Sequence, residues 1–293
     1  MTLWEEKITR DLQYENYLKK WGLKEDPFSP SLPSPEAFVP IQKENLVRIK
    51  ELLGEGKTGL LTGELGMGKT TICEFLVAVL REENLLTTDQ SRHIIPVFIH
   101  TPAYSSIETL LKGILLSLQL NNQIEPPQMF EVLRRWYLEH PEKLALIFDD
   151  LPQAQAPPMA FGEFLRVLSD LPQISLLLNG ETENMRRFLD KNPALKNRIQ
   201  FHARIRPMTE MEVRDLLIFR LKLGGCSDFS LLTPEAIRTI YRFSGGNPRR
   251  ALKIASNSLK LAATLDSHIT SKIVKMANRR PLLARLLRRV EEF

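Results

Sequence analysis

Long apolar runs, numerous cysteines and paired histidines are what this chain lacks. No apolar stretch approaches the ~18 residues that a membrane span needs, and the N-terminus lacks the basic-then-apolar pattern of a signal peptide. The two cysteines, Cys73 and Cys226, stand far apart and match no metal-ligand spacing. The five histidines form no HxxxH or HxH pair, so we expect no transition-metal site. These absences predict a reduced, cytoplasmic protein without a membrane span.

Acidic residues are scarce towards the C-terminus. The chain has a net charge of +5, yet residues 247–293 alone contain eleven Lys or Arg against three acidic residues. Such asymmetry suits a polyanionic partner, although a solvated basic face gives the same pattern. The last helical pattern is amphipathic and would suit plain packing, nucleic acid or anionic lipid. Its apolar positions are Leu282, Leu283, Leu286, Leu287 and Val290, and its basic positions are Arg285, Arg288 and Arg289.

Residues 63–70 contain the most informative motif, Gly-Glu-Leu-Gly-Met-Gly-Lys-Thr, which fits G-x-x-x-x-G-K-[ST]. An apolar strand pattern precedes it and a helical pattern follows it, which is the context of a phosphate-binding loop. Lys69 should neutralise the β- and γ-phosphates, and the Thr70 hydroxyl should complete a Mg²⁺ shell. The chain is therefore predicted to bind a nucleoside triphosphate. The expected contacts are Gly63, Glu64, Leu65, Gly66, Met67, Gly68, Lys69, Thr70 and Thr71.

Apolar strand patterns and amphipathic helical patterns alternate through the first two thirds of the chain. The strand patterns cover residues 58–62, 94–99, 144–148 and 174–178, and the last three are nearly continuous in apolar residues. Strands of a parallel sheet are buried on both faces and therefore read as unbroken apolar runs. The sequence thus predicts an α/β fold with a doubly wound parallel sheet.

The pattern changes near Pro207, after which only helical patterns occur, with start signals such as Thr233-Pro234 and Asn247-Pro248. Five prolines crowd residues 26–40, which predicts a connecting loop there. We therefore expect three parts. They are an N-terminal extension with the proline-rich loop at 1–40, an α/β nucleotide-binding domain at 41–206, and a smaller helical lid with a basic C-terminal helix at 207–293.

Two carboxylates follow the third predicted strand. Residues 144–148, Leu-Ala-Leu-Ile-Phe, deliver Asp149 and Asp150 to the carboxyl end of that strand. In a parallel sheet these ends form the ligand crevice, where the metal ion and the attacking water would lie. Asp149 suits the Mg²⁺ shell, and Asp150 suits the group that orients or deprotonates the water.

Five segments occur in the order typical of the AAA+ ATPases, which this chain resembles from about residue 17 to residue 276. They are GELGMGKTT, LALIFDD, LLLNGE, LKNRIQFHARIRPMTEMEV and FSGGNPRRALKIA. The segment YLKKWGLKEDPFSP, which precedes the phosphate loop, looks like the corresponding part of the ExeA-type branch. That branch is similar to the transposition regulators TnsC and TniB. The resemblance implies ATP as the nucleotide, with Mg²⁺, and oligomers whose sites lie between subunits.

The same resemblance implies roles that spacing alone does not give. Asn179 matches sensor 1, which holds the attacking water near the γ-phosphate; unaided, Asn179-Gly180 reads as a turn. Arg198 matches the arginine finger, which enters the site of a neighbouring subunit and offsets transition-state charge. Arg186 or Arg187 could be the finger instead, and a surface ion pair is the alternative reading of Arg198.

Two further parts of the site follow from the resemblance. Arg249 matches sensor 2, which links the helical lid to the γ-phosphate, with Arg250 as the close competitor. Val39 and Pro40 are implied to line the adenine pocket. One departure concerns Asp150, because the family usually has glutamate there. A side chain one methylene shorter reaches less far towards the water, so slow hydrolysis is expected.

Function follows from the family resemblance together with the basic C-terminal part. The favoured interpretation is an oligomeric, DNA-associated ATP switch of the kind used in transposition or target selection, with a transposase as partner. The alternative is an ExeA-like assembly ATPase of a secretion or pilus system, although such proteins normally bring a membrane span and a wall-binding domain. A weakly hydrolysing, nucleotide-gated scaffold is the third interpretation.

Overall fold

The structure, a computed structural model, describes most of the chain in three ranges: 3–29, 42–151 and 158–279. The chain divides into two compact units. The α/β unit consists of residues 42–206, and the helical unit joins residues 1–41 with 207–293. None of the described helices is long and apolar enough to cross a membrane.

Twelve α-helices and five strands occur in the described residues. The helices are α1 (Leu3–Lys20), α2 (Lys43–Gly54), α3 (Lys69–Leu86), α4 (Ile107–Ser117), α5 (Pro126–Glu139), α6 (Pro158–Ser169), α7 (Thr182–Asp190), α8 (Pro193–Lys196), α9 (Glu210–Leu223), α10 (Pro234–Ser244), α11 (Pro248–Thr264) and α12 (271–279). The strands are β1 (Thr58–Gly63), β2 (Ile94–His100), β3 (Lys143–Leu151), β4 (Ile174–Glu181) and β5 (Ile199–Arg204).

A five-stranded sheet forms the centre of the α/β unit. Its strands lie in the order β2-β3-β4-β1-β5, and every pairing is parallel. All residues of β1 are buried, and β4 is buried up to its last residue, Glu181. Burial on both faces is why the central strands are rich in apolar residues without a polar alternation. The predicted doubly wound α/β class is confirmed.

Strand β5 has no counterpart among the strands predicted from the sequence. It lies at the edge of the sheet and pairs with β1. Its polar side chains alternate with buried or half-buried ones, and Gln200, His202 and Arg204 are exposed. An edge strand needs less burial than a central strand, so its sequence lacks the continuous apolar run that marks the others.

The helical unit has its own apolar core, built from α9, α10, α11, α12 and part of the N-terminal segment. Leu217, Ile240 and Leu259 are fully buried there. Polar start signals fix the helix ends: Thr209 caps α9 in a capping box with Glu212. Such caps satisfy N–H groups at a helix start that have no partner within the helix.

The end of α1 and the turn after it belong to this core. Tyr17, Leu18, Leu23 and Phe28 are at most 6% exposed and pack with residues of α9 to α12. The whole α/β unit separates these segments in sequence. The part of the chain expected to be an N-terminal extension thus contributes apolar side chains to the core of the helical unit.

A buried arginine ties the N-terminal segment to α9. Arg220 is 4% exposed and donates from Nε to the carbonyl oxygen of Pro27 at 2.8 Å, and from Nη2 to the carbonyl oxygen of Ser29. On α11, the Ser256 hydroxyl donates to Asp26 Oδ2 at 2.5 Å. These bonds fix the backbone of the segment, because buried polar groups cost free energy unless they are paired.

Candidate nucleotide-binding site

The glycine-rich motif forms the connection between β1 and α3. Gly66 (φ 83°) and Gly68 (φ 82°) hold a left-handed backbone conformation, which glycine adopts readily. The helix begins at Lys69, and its N-cap residue makes no side-chain capping bond. The first N–H groups of α3 and the positive end of its dipole therefore face the loop, which is the arrangement that binds phosphate.

Lys69 lies inside the loop. Its Nζ donates to the carbonyl oxygens of Gly63 at 2.9 Å and Glu64 at 3.1 Å. Burial lowers the pKa of Lys69, while nearby carboxylates, Asp150 foremost, act to raise it. The ammonium group thus lies beside the acidic carboxyl ends of the strands, bonded to two loop carbonyls that phosphate oxygens could replace.

Residues from the loop helix, β3 and β4 meet at one point. Thr70 Oγ1 donates to Asp149 Oδ1 at 3.1 Å, and Asn179 Nδ2 donates to the same oxygen. Asp149 and Asn179 are each 1% exposed. Burial raises the pKa of Asp149, whereas hydrogen bonds from Thr70 and His100 lower it. The sheet order therefore brings together the residues predicted for magnesium binding and for sensor 1.

The donor atoms at this point fit Mg²⁺. This ion prefers oxygen ligands, keeps several waters and takes only one or two protein oxygens when it binds nucleotide phosphates. Thr70 and Asp149 supply a hydroxyl and a carboxylate oxygen 3.1 Å apart, at the start of α3. Among the described residues no three His, Cys, Asp or Glu side chains form a metal cluster, so phosphate oxygens would have to complete the shell.

The two aspartates differ in backbone geometry. The pairing of β3 with β4 shifts between Phe148 and Leu151, so Asp149 and Asp150 together lie opposite Asn179. This is a β-bulge, which bends a strand and redirects its side chains. Asp150 has φ 61°, in the left-handed region that residues other than glycine seldom adopt. Asp149 is buried, while Asp150 is partly exposed at the crevice.

One residue near the carboxylates gives no signal in the sequence. His100 ends β2 and lies opposite Asp149 in the sheet register. Its Nδ1 is 3.4 Å from Asp149 Oδ2, and 55% of its side chain is exposed. Nothing in the sequence says that β2 lies next to β3, so a histidine at the end of β2 could not be assigned to the site.

The three candidate finger arginines form ion pairs within their own chain. Arg198 Nε lies 2.6 Å from Asp170 Oδ1. Arg186 and Arg187 share Glu183, at 2.7 Å and 3.1 Å from its Oε1. Hydrogen bonds from these two arginines lower the pKa of Glu183 to about 2, and the bond from Arg186 has the larger effect. All three arginines are surface residues, so the choice among them stays a prediction.

The remaining predicted site residues belong to the helical unit or lie outside the described residues. Arg249 and Arg250 are exposed in the first turn of α11, where Asn247 Oδ1 accepts a hydrogen bond from the Arg250 N–H at 3.1 Å. The sensor 2 assignment stays a prediction. Val39, Pro40 and the amphipathic segment 281–290 lie outside the described residues.

The geometry around the loop can be compared with known proteins. Residues 53–189 match the family described as an AAA domain. This part runs from the end of α2 to the end of α7 and includes the phosphate loop, both aspartates and Asn179. The resemblance to AAA+ ATPases is confirmed.

The similarity to one curated protein extends beyond residues 53–189. The chain is 29% identical over 269 residues to General secretion pathway protein A of Aeromonas hydrophila, which covers 86% of this chain and 46% of that protein. The chain therefore spans about half the length of this relative. The similarity confirms the resemblance to the ExeA-type branch, and the likeness to TnsC and TniB stays a prediction.

Solved structures share the fold. Cdc6p from Pyrobaculum aerophilum superposes with a TM-score of 0.69 at 20% identity, covering 88% of this chain and 71% of that one. The ORC1 protein of Aeropyrum pernix, solved in complex with DNA, gives a TM-score of 0.67 at 16% identity, with 87% and 69% covered. At such identities the likeness shows the fold alone.

Proposed function

We propose that this protein binds ATP with Mg²⁺ at the phosphate loop and hydrolyses it slowly, acting as an oligomeric nucleotide switch. The observation that supports the proposal is the bond between Thr70 and Asp149 at the start of α3, one residue from Lys69. A cation, a hydroxyl and a buried carboxylate in this arrangement suit a magnesium-bound triphosphate.

The chain's residues have distinct tasks in this proposal. Lys69 and the loop N–H groups bind the phosphates, and Thr70 with Asp149 holds the metal ion, which offsets phosphate charge when bound. Asp150 lies at the crevice to orient the attacking water, and Arg198 of a neighbouring subunit stabilises the charge of the transition state. An aspartate at position 150 reaches less far than a glutamate, which is why we propose a slow enzyme.

Phosphate release tests the proposal directly. The wild-type chain should bind a fluorescent ATP analogue and release phosphate from ATP in a magnesium-dependent way. Asp150→Asn should keep the affinity and lower the rate, because a neutral amide is a weaker hydrogen-bond acceptor for the attacking water than a carboxylate is. A chain that binds no analogue at any magnesium concentration would overturn the proposal.

We propose further that the switch acts on duplex DNA, as a regulator of transposition or target selection would. The support is the basic excess after residue 247 and the family resemblance. The similar ORC1 protein was solved in complex with DNA. Size-exclusion chromatography with a non-hydrolysable ATP analogue, with and without duplex DNA, tests this role. DNA-dependent rings or filaments are the expected result.

The alternative function is an assembly ATPase with a protein partner in a secretion or pilus system. The similarity to General secretion pathway protein A, along 86% of this chain, favours it. Nucleotide-dependent assembly that is indifferent to DNA would support this alternative, or a scaffold that scarcely hydrolyses ATP. Phosphate release then separates the last two, because only the assembly ATPase turns ATP over.

A further inference from the structure

We infer that Glu181 is a further catalytic residue of this site, whose carboxylate takes the proton of the water that Asp150 orients for attack on the γ-phosphate. The inference rests on the proposed ATP hydrolysis and names the group that performs it. Glu181 is the last residue of β4, and neither the phosphate-loop motif nor the aspartate pair points to it.

Strand geometry places Glu181 above Asn179. Residues two apart on a strand point to the same face of the sheet. The Asn179 side chain is 1% exposed and donates to Asp149, so it lies beneath the surface of the crevice. Glu181 is the next position on that face towards the carboxyl end, and it is partly exposed. It therefore occupies the level at which a solvent molecule can approach.

The sheet register places Glu181 beside the phosphate loop. Glu181 is paired with Gly63, the first glycine of the motif. Burial lowers the pKa of Lys69, and the negative charge of Glu181 is among the fields that act to raise it. The carboxylate thus faces the same space as the loop cation, where the terminal phosphate is proposed to lie.

The Glu181 carboxylate is not used to hold the fold. Glu181 is the N-cap residue of α7, yet its side chain makes no capping hydrogen bond. Within the ranges that the structure describes, this carboxylate makes no hydrogen bond and no ion pair. An acidic side chain at a helix start usually accepts N–H bonds. A carboxylate that makes none retains its acceptor capacity for water.

The comparison with Asp150 and Asn179 favours Glu181 for contact with water. Asp150 is one methylene shorter and lies in a bulge with φ 61°. The Asn179 amide is buried and already bonded to Asp149. A longer carboxylate two residues beyond Asn179 supplies the reach that Asp150 lacks.

The proposed step balances as an ordinary hydrolysis. The water oxygen forms a bond to the γ-phosphorus while the bond from that phosphorus to the β,γ-bridging oxygen breaks. ADP leaves with the bonding electron pair. The water proton passes to the Glu181 carboxylate and from there to the released phosphate or to solvent.

Three variants test the role: Glu181→Gln, Glu181→Asp, and Glu82→Gln as a matched control, since Glu82 is exposed on α3. Each is measured for affinity with a fluorescent ATP analogue, for single-turnover hydrolysis, and for the fraction of bound nucleotide that remains ATP. Glu181→Gln should bind the analogue as wild type does, hydrolyse roughly 10²-fold or more slowly, and retain intact ATP. Glu181→Asp should be intermediate, and Glu82→Gln unchanged.

The outcomes separate this inference from the proposed function. Glu181→Gln hydrolysing at the wild-type rate would overturn the role of Glu181, while hydrolysis by the wild-type chain would still support the proposed ATPase. A loss of analogue binding in both Glu181 variants would also overturn this role, because it would show that Glu181 maintains the structure of the site. A wild-type chain with no detectable hydrolysis would overturn both the proposed ATPase and the inference.

Discussion

Arg198 binds Asp170 of its own chain through two hydrogen bonds, from Nε to Oδ1 at 2.6 Å and from Nη2 to Oδ2 at 3.3 Å. The same carboxylate accepts a bond from Arg166 Nη1 at 2.6 Å. The side chains of Arg198 and Asp170 are 44% and 38% exposed. An exposed pair of this kind contributes little to stability, because water screens both charges. A nucleotide phosphate bound by the proposed neighbouring subunit could therefore compete for Arg198.

Replacing Arg198 should affect hydrolysis and spare nucleotide binding. If Arg198 is the finger, Arg198→Ala should bind ATP normally and hydrolyse it ~10³-fold or more slowly, because transition-state charge loses its partner. Wild-type turnover should rise faster than linearly with protein concentration as subunits pair. Steady-state phosphate release across a concentration series measures both effects.

Arg186→Ala and Arg187→Ala are the comparison variants, since either arginine could be the finger instead. If Arg198 is the finger, both should hydrolyse ATP as wild type does. Mixing Arg198→Ala with Lys69→Ala should restore activity, because each chain supplies the residue that the other lacks. Mixed oligomers that form and stay inactive would exclude a role for Arg198 in trans.

Lys69→Ala should weaken ATP binding at least roughly tenfold, since a hydrogen bond to a charged group is worth about 1.5–3 kcal/mol. The phosphates would lose their loop cation, while the loop carbonyls would remain. Equilibrium titration with a fluorescent ATP analogue measures the loss. Lys112→Ala removes a surface lysine that pairs with Glu108 and should bind as wild type does. Full affinity in Lys69→Ala would refute the phosphate-loop assignment.

Two neighbouring glycines should respond differently to alanine. Gly245 (φ 62°) has open space where a Cβ would stand, whereas a Cβ on Gly246 (φ 76°) would lie 2.2 Å from the Met208 carbonyl oxygen. Gly245→Ala should therefore cost only the left-handed conformation, roughly 1–2 kcal/mol. Gly246→Ala adds a backbone clash and should cost roughly 2–5 kcal/mol. Urea unfolding followed by circular dichroism measures both, and equal costs would contradict the packing described here.

Arg220→Ala should destabilise the helical unit. Its guanidinium donates to the carbonyl oxygens of Pro27 and Ser29, and an unpaired buried acceptor costs about 1–3 kcal/mol. We expect a loss of roughly 2–5 kcal/mol in the free energy of unfolding, together with faster proteolysis near residues 24–29. Arg242→Ala, at an exposed position of α10, is the control and should change stability little. Equal stability of the two variants would show that the N-terminal segment is not held by Arg220.

Duplex binding should depend on exposed lysines of the helical unit. Lys253 and Lys260 are exposed on α11, a helix without an acidic residue. Each neutralised phosphate adds ~0.9 to the slope of log affinity against log salt. Reversing both charges to glutamate should therefore flatten that slope by the amount expected for the loss of about two phosphate contacts. ATP binding should stay intact. Titration of labelled duplex at several salt concentrations, with an ATP analogue present, measures the slope.

The paired control for DNA reverses two exposed lysines of the α/β unit, Lys43→Glu and Lys191→Glu, which should keep the wild-type slope. A slope that is flattened by the Lys43 and Lys191 reversals, and unchanged by those at Lys253 and Lys260, would show that the DNA-binding surface lies on the α/β unit. Reversal of Arg285, Arg288 and Arg289, which lie outside the described residues, should also flatten the slope. No binding at low salt with nucleotide present would overturn the DNA role and favour the assembly ATPase.

The phosphate loop, four of the strands and one carboxylate of the site could be predicted from the sequence. The spacing from Gly63 to Thr70 predicted a phosphate loop, since a tight turn before a helix needs glycines at fixed positions. Apolar strand patterns predicted β1 to β4. The runs are most continuous in β3 and β4, because these central parallel strands are buried on both faces. The apolar run that ends just before Asp149 placed that carboxylate at the edge of the sheet where ligands bind.

The tertiary structure determines which of these segments are in contact. Strand order brings His100 and Asn179 to Asp149 and aligns Glu181 with Gly63, and no local pattern encodes that order. The edge strand β5 was not predicted, because partial exposure removes the apolar run. The N-terminal segment joins the helical core through side chains far away in sequence. The sequence by itself determined the loop chemistry and the fold class, which depend on neighbouring residues. The site's full set of side chains depends on contacts between distant segments, and only the folded chain fixes those.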